Sequence, residues 1–141
     1  MTKETTYVII VRSQDLTLIN ATQYQMTINL PEVANATKFS IGIKDAFVVR
    51  TGTVNDDVFS ICSNTLKYKC NYDSKYLSIG NSNVLAQMHA QYPYISAAQV
   101  FLDTNNINGT HSFWLEGLSG KLVPGTGYTS FVFSLVVMAT F

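Results

Sequence analysis

Tyr24-Gln25-Met26-Thr27-Ile28-Asn29-Leu30 alternates apolar and polar residues at every step and stops at Pro31. Successive side chains of an extended strand point to opposite faces, so Tyr24, Met26, Ile28 and Leu30 share one face while Gln25, Thr27 and Asn29 share the other. The segment reads as a half-buried strand, and Pro31, which has no N–H to give to a ladder, ends it.

The same period recurs outward from this strand. Lys38–Arg50 alternates Phe39, Ile41 and Ile43 and then slips phase into Phe47, Val48 and Val49, which predicts a bulge or sharp bend in a long strand. Shorter strands are expected at 58–62, 66–72, 99–103 and 112–117, a long one at 130–140, and an N-terminal one at 7–11. Between them lie Thr51-Gly52, Asn55-Asp56-Asp57, the stretch 105–109, Ser119-Gly120 and Pro124-Gly125-Thr126-Gly127, all with ordinary turn chemistry. Only 84–91 carries helical spacing: Asn83 is placed to cap, Leu85 and Met88 to pack inward and Pro93 to stop it. The expectation is an all-β, single jelly-roll sandwich of about eight antiparallel strands in two sheets, with one short helix in a loop. Residues 1–141 are read as one domain, an N-terminal strand at 7–11 preceding a main sandwich over 23–141. An immunoglobulin-type sandwich fits less well, because Trp114 follows both cysteines instead of lying between them.

Composition narrows the function. Of the 141 residues, 13% are charged and 47% hydrophobic, with eight Tyr and eight Phe. An average soluble domain is about 25% charged, so so few charges point to extensive burial in an assembly. Nine basic residues balance nine acidic ones and neither end carries a basic arm, so direct contact with nucleic acid has no electrostatic footprint. The apolar run 8–11 is too short for a signal-peptide core, and 131–141 is far short of the about 20 residues of a membrane-spanning helix. Secretion and a membrane span are therefore not expected. Cys62 and Cys70 read as core or half-buried thiols in a reducing compartment, with a bridge open to them if they face each other across a hairpin. The Asn-x-Ser/Thr matches at Asn20, Asn35 and Asn108 read as Asn-rich turns.

No constellation points to catalysis, a cofactor or a metal. His89 and His111 are too few for a cupin-type site, and no G-x-S-x-G elbow marks a nucleophile. The stretch 103–109 misses calcium-loop spacing and has no Glu at the twelfth position. Asp56 and Asp57 read as a solvated pair, and in the cluster of Lys67, Lys69 and Lys75 with Tyr68, Tyr72 and Tyr76 alternation puts the two strand lysines, Lys67 and Lys69, on the solvent face opposite Leu66 and Tyr68. The protein is not expected to be an enzyme.

Ile9-Ile10-Val11-Arg12-Ser13-Gln14-Asp15-Leu16, followed by Asn20-Ala21-Thr22-Gln23 and the strand from Tyr24 to Leu30 and Pro31, and then by Phe39-Ser40-Ile41-Gly42-Ile43, carries a resemblance. It resembles the opening of penton and minor capsid proteins of icosahedral double-stranded DNA viruses, including large algal and amoebal viruses and polinton-like elements. There a Ser-x-Asp-Arg segment precedes an aromatic-led strand ending in Leu-Pro. Ser13, Asp15, Tyr24, Leu30 and Pro31 match that pattern, and Leu16 stands where it has Arg. The closing Phe131-Val132-Phe133-Ser134-Leu135-Val136-Val137 resembles the family's last strand, so the likeness covers both ends of the chain. It implies a jelly roll of two four-stranded sheets in the virion, a homopentamer at the vertices or a minor capsid cluster. The partners implied are the major capsid protein and other minor capsid proteins, with assembly in the host cytoplasm or nucleus. Ser13 and Asp15 are then candidate assembly contacts, their simpler role being a turn in which Asp15 caps backbone N–H groups.

Two other classes stay open on sequence: a trimeric head of the tumour-necrosis-factor or C1q type, and a carbohydrate-binding module using Tyr92, Tyr94 and Trp114 as exposed aromatics. The C-terminal strand sharpens the expectation. Phe131, Phe133, Leu135 and Val137 alternate with Val132, Ser134, Val136 and Met138, so both faces are largely apolar and the strand should be central. Its outer face would then be covered by a neighbouring subunit or by 7–11 folding across it.

Overall fold

The computed structural model describes residues 3–50, 58–66, 84–89, 94–95, 100–101, 107–117, 120–126 and 128–141. Among the described residues the strands are, in order, β1 (Glu4–Arg12), β2 (Thr17–Leu18), β3 (Tyr24–Ile28), β4 (Lys38–Arg50), β5 (Val58–Cys62), β6 (Val84–His89), β7 (Tyr94–Ile95), β8 (Val100–Phe101), β9 (Gly109–Gly117), β10 (Gly120–Lys121) and β11 (Tyr128–Thr140). Single 3₁₀ turns lie at Ser13–Asp15 and Pro31–Val33.

One sheet runs β1-β11-β4-β7, with β8 also against β4; the other runs β2-β3-β9-β5-β6, with β10 hairpinned onto β9. Every pairing between these strands is antiparallel. The first and last long strands are thus neighbours in one sheet, and chain-distant β3 and β9 are neighbours in the other. This interleaving is a jelly roll.

The alternation read from the sequence becomes the core. Tyr24 and Ile28 of β3 are buried, as are Phe39, Ile41 and Ile43 of β4 and Phe131, Phe133, Leu135, Val137 and Ala139 of β11. Phe113 and Phe133 meet edge-on across the two sheets at 5.5 Å, and Tyr24 meets Phe131 at 5.4 Å and 80°, geometries that the ring quadrupoles favour. The phase slip in β4 is a bulge. Val132 faces Phe47 and Ser134 faces Lys44, so Asp45 and Ala46 together oppose Phe133 alone. Asp45 takes φ 54°, a left-handed conformation that aspartate tolerates better than β-branched residues do. The extra residue is what brings Ala46 and Val48 back to the core while Phe47 and Val49 turn outward.

Two expectations are corrected. Residues 84–89 form β6 instead of a helix. Leu85 and Met88 are both buried, as helical spacing requires, but a register shift against β5 between Ile61 and Cys62 lets a strand bury Leu85, Ala86 and Met88 together. A bulge therefore reproduces the i, i+3 pattern, and pairing with β5 overrides local preference. The N-terminal strand, longer than 7–11, does not fold across β11 either. It lies beside β11 in the same sheet, from Glu4 opposite Thr140 to Arg12 opposite Val132, because paired backbone groups satisfy one another only edge to edge.

The strand expected at 66–72 lies outside the described residues apart from Leu66, as do Asp56, Asp57, Cys70, Tyr92, the lysine–tyrosine cluster and most of 103–109.

Candidate assembly surface

Strands β1, β11 and β4 present one face to the core and the other outward. On the outer face Val8 lies beside Val136, Ile10 beside Ser134, Arg12 beside Val132, Val132 beside Phe47 and Ser130 beside Val49. A solvated sheet face is polar at these alternate positions. Here Val8 is 60% exposed and Ile10 52%, Phe47 and Val49 are also exposed, and Val132, Val136 and Met138 are half-buried. Lys44, Arg12 and Lys38 sit around this apolar strip. The patch spans three strands and holds four of the eight exposed large hydrophobic residues among the described residues.

Of the C-terminal residues singled out by sequence, Phe131, Phe133, Leu135 and Val137 all face the core. The apolar surface belongs to their outward neighbours and to Val8, Ile10, Phe47 and Val49. The signal for those four was present in the alternation of β1 and in the slip of β4, but it needed the sheet order to put them side by side.

The motif residues divide the labour where β1 ends. The β1–β11 ladder would next pair Ser13 with Phe131, but the Ser13 carbonyl has already turned inward to accept the Leu16 N–H of the 3₁₀ turn. The buried Ser13 hydroxyl takes its place and accepts the Phe131 N–H at 3.1 Å. Backbone capping therefore falls to Ser13. Asp15 instead lies 3.8 Å from the Arg12 guanidinium, with both side chains exposed, and such a pair contributes about 0–1 kcal/mol. Arg12, Asp15, Leu16, Gln25 and Met26 line an open groove of about 340 Å³ between the end of β1 and β3. Replacing Ser13 by alanine should orphan the Phe131 N–H inside the core and cost about 1–3 kcal/mol, read as a lower midpoint in urea at unchanged slope.

Tyr24 is buried beside Tyr128, whose buried hydroxyl makes no well-formed hydrogen bond among the described residues and has the Tyr24 phenol as its polar neighbour. Burial first, and the neighbouring Tyr24 phenol second, push the Tyr128 pKa well above the ordinary value. Leu30 is held at both backbone groups by Asn108: the Leu30 N–H donates to Oδ1 at 2.6 Å and the Asn108 amide donates to the Leu30 carbonyl at 2.9 Å. Pro31 occupies the first position of its turn, where a missing N–H costs nothing. Asn20 also acts as a turn residue, its Oδ1 accepting the N–H groups of Thr22 and Gln23 at 2.9 Å each.

In the other sheet His111 and Trp114 are buried and held by hydrogen bonds. His111 Nε2 meets the Ile107 carbonyl at 2.6 Å and Nδ1 meets the Thr65 hydroxyl at 3.0 Å. A carbonyl only accepts, so Nε2 carries the hydrogen and the neutral ring accepts from Thr65. Burial holds the His111 pKa below the ordinary 6.5, against the opposing pull of the Ile107 carbonyl. A base with a lowered folded pKa lends stability that is complete above its unfolded pKa and drains as pH falls below it. The melting temperature should therefore drop between pH 7 and pH 5, and the drop should be smaller in His111→Gln; equal drops would remove His111 as the cause.

Trp114 is only 2% exposed, donates its indole N–H to buried Glu116 at 3.0 Å and lies 4.6 Å under the Lys121 ammonium. It is thus unavailable as a platform for sugar stacking, and the expectation of an exposed aromatic at this position is corrected. Among the described residues no three of His, Cys, Asp and Glu gather as metal ligands, and no helix is long and apolar enough to cross a membrane.

No protein-family model matches the chain, and no curated protein matches it. Among solved structures, a selenomethionine-labelled mavirus penton protein matches 60% of this chain at 12% identity and a TM-score of 0.39. A full particle of Israeli acute paralysis virus, heated to 63 degrees, matches 99% of it at 11% identity and a TM-score of 0.24. The chain matches 34% of the length of that penton protein and 71% of the chain from the second virus.

Proposed function

We propose that this chain is a structural subunit of an icosahedral viral capsid, a penton or minor capsid protein whose single jelly roll assembles as a homopentamer. The outward apolar face of β1, β11 and β4 carries the reading. A free monomer would hold Val8, Ile10, Phe47 and Val49 in water, whereas a shell subunit covers such a face with a neighbour. The low charge content and the capsid-like opening segment from Ile9 to Pro31 support the same role. The partners are other copies of the chain, the major capsid protein and other minor capsid proteins, within the virion. The role is architectural, with no catalytic step, no cofactor and no direct contact with the genome.

Native mass measurement of the purified chain is the test. Pentamers are expected, and the variant Phe47→Lys with Val49→Lys should shift them to smaller species while keeping the wild-type circular dichroism. A stable monomer at micromolar and higher concentration would overturn the proposal.

A further inference from the structure

Strand β1 is a sheet edge: among the described residues it pairs with β11 alone. Nine consecutive residues hold register with β11 without a bulge, and the strand has no proline. Natural sheets usually cover, bend or charge so long an edge, because its unpaired N–H and C=O groups are a template for another strand.

Which groups are unpaired follows from one hydrogen bond. The Phe141 N–H donates to the Lys3 carbonyl at 2.8 Å, and the pairing then proceeds residue by residue. Backbone groups of successive strand residues point to opposite edges, so the odd-numbered residues of β1 face β11. Glu4, Thr6, Val8, Ile10 and Arg12 turn their N–H and C=O groups to the open edge. The same five residues carry their side chains on the exposed outer face.

We propose that β1 is a homotypic pairing edge, through which two copies join antiparallel about a two-fold axis at Val8. The charge pattern selects this register. Val8 faces the partner's Val8, Thr6 faces the partner's Ile10 and Glu4 faces the partner's Arg12, so the symmetric contact contains two opposite-charge pairs. The smallest slide that keeps hydrogen-bonding parity is two residues. It sets Glu4 against the partner's Ile10 or the partner's Gln14 and separates the charges. Among the described residues Arg12 meanwhile pairs with the exposed Asp15 at 3.8 Å. Across the join, the apolar faces containing Val8, Ile10 and Val136 become one surface.

Such a contact is isologous and cannot close a ring of five. It goes beyond the capsid reading and acts as a link between rings or as a dimer in its own right, so the two fail separately.

Charge reversal tests it on the full chain by sedimentation equilibrium. Glu4→Arg alone and Arg12→Glu alone each set like charges opposite one another twice, and each should weaken two-fold association by about tenfold or more. The double variant Glu4→Arg/Arg12→Glu restores opposite charges and should restore association. A cysteine scan fixes the register: Val8→Cys should give an oxidised covalent dimer above the wild-type background, and Ile10→Cys should not. Single reversals that associate like wild type, a double variant no better than the singles, or pentamers with no even-numbered multiples would each overturn the proposal.

Discussion

Deleting residues 136–141 is expected to leave a chain with no cooperative melt and little solubility. The deletion removes Val137 and Ala139 from the core, and burial of one valine alone stabilises by about 1.5–3 kcal/mol. It also strips pairing from both neighbours, because Val136 to Thr140 oppose Glu4 to Val8 of β1 on one side and Lys38 to Gly42 of β4 on the other. Losing a central strand end therefore loosens three strands at once. A typical domain has about 5–15 kcal/mol to lose. Circular dichroism and thermal scanning of the truncated chain check the expectation, and a soluble truncation with a sharp transition would show that the end of β11 is dispensable.

Phe133→Ala should cost about 3–5 kcal/mol, the usual range for emptying a fully buried aromatic site. Phe133 is 0% exposed, meets Phe113 of the opposite sheet at 5.5 Å and stacks on Phe131 at 6.0 Å and 12°. It also sits opposite the bulge at Asp45 and Ala46, where the ladder is interrupted and cannot close over a void without moving β4. Urea denaturation measures the loss, with Phe133→Leu expected to recover part of it. A loss under about 1 kcal/mol for the alanine variant would mean that the core collapses around the site. The role of this residue as a link between sheets would then be wrong.

Period-two alternation determined most of the architecture. Tyr24 to Ile28, Phe39 to Ile43 and Phe131 to Val137 keep their sequence-assigned faces because side-chain direction in a strand is a local property of the backbone. The phase slip before Phe47 likewise announced the bulge at Asp45 from sequence alone. Where a register shift broke the period, as in β6, the same local reading produced a helix that does not form. The role of Ser13 was hidden for a related reason. Its hydroxyl bonds to Phe131, 118 positions away, and no local pattern encodes a partner at that distance.

The sequence by itself determined the all-β class, the core faces of the long strands and the scarcity of charge that points to assembly. Only the tertiary structure decided that β1 is an edge strand beside β11, and that Val8, Ile10, Phe47, Val49 and Val136 share one outward surface. Alternation tells which residues of a strand point together, but not which strands are neighbours or which face meets water. Those depend on long-range pairing.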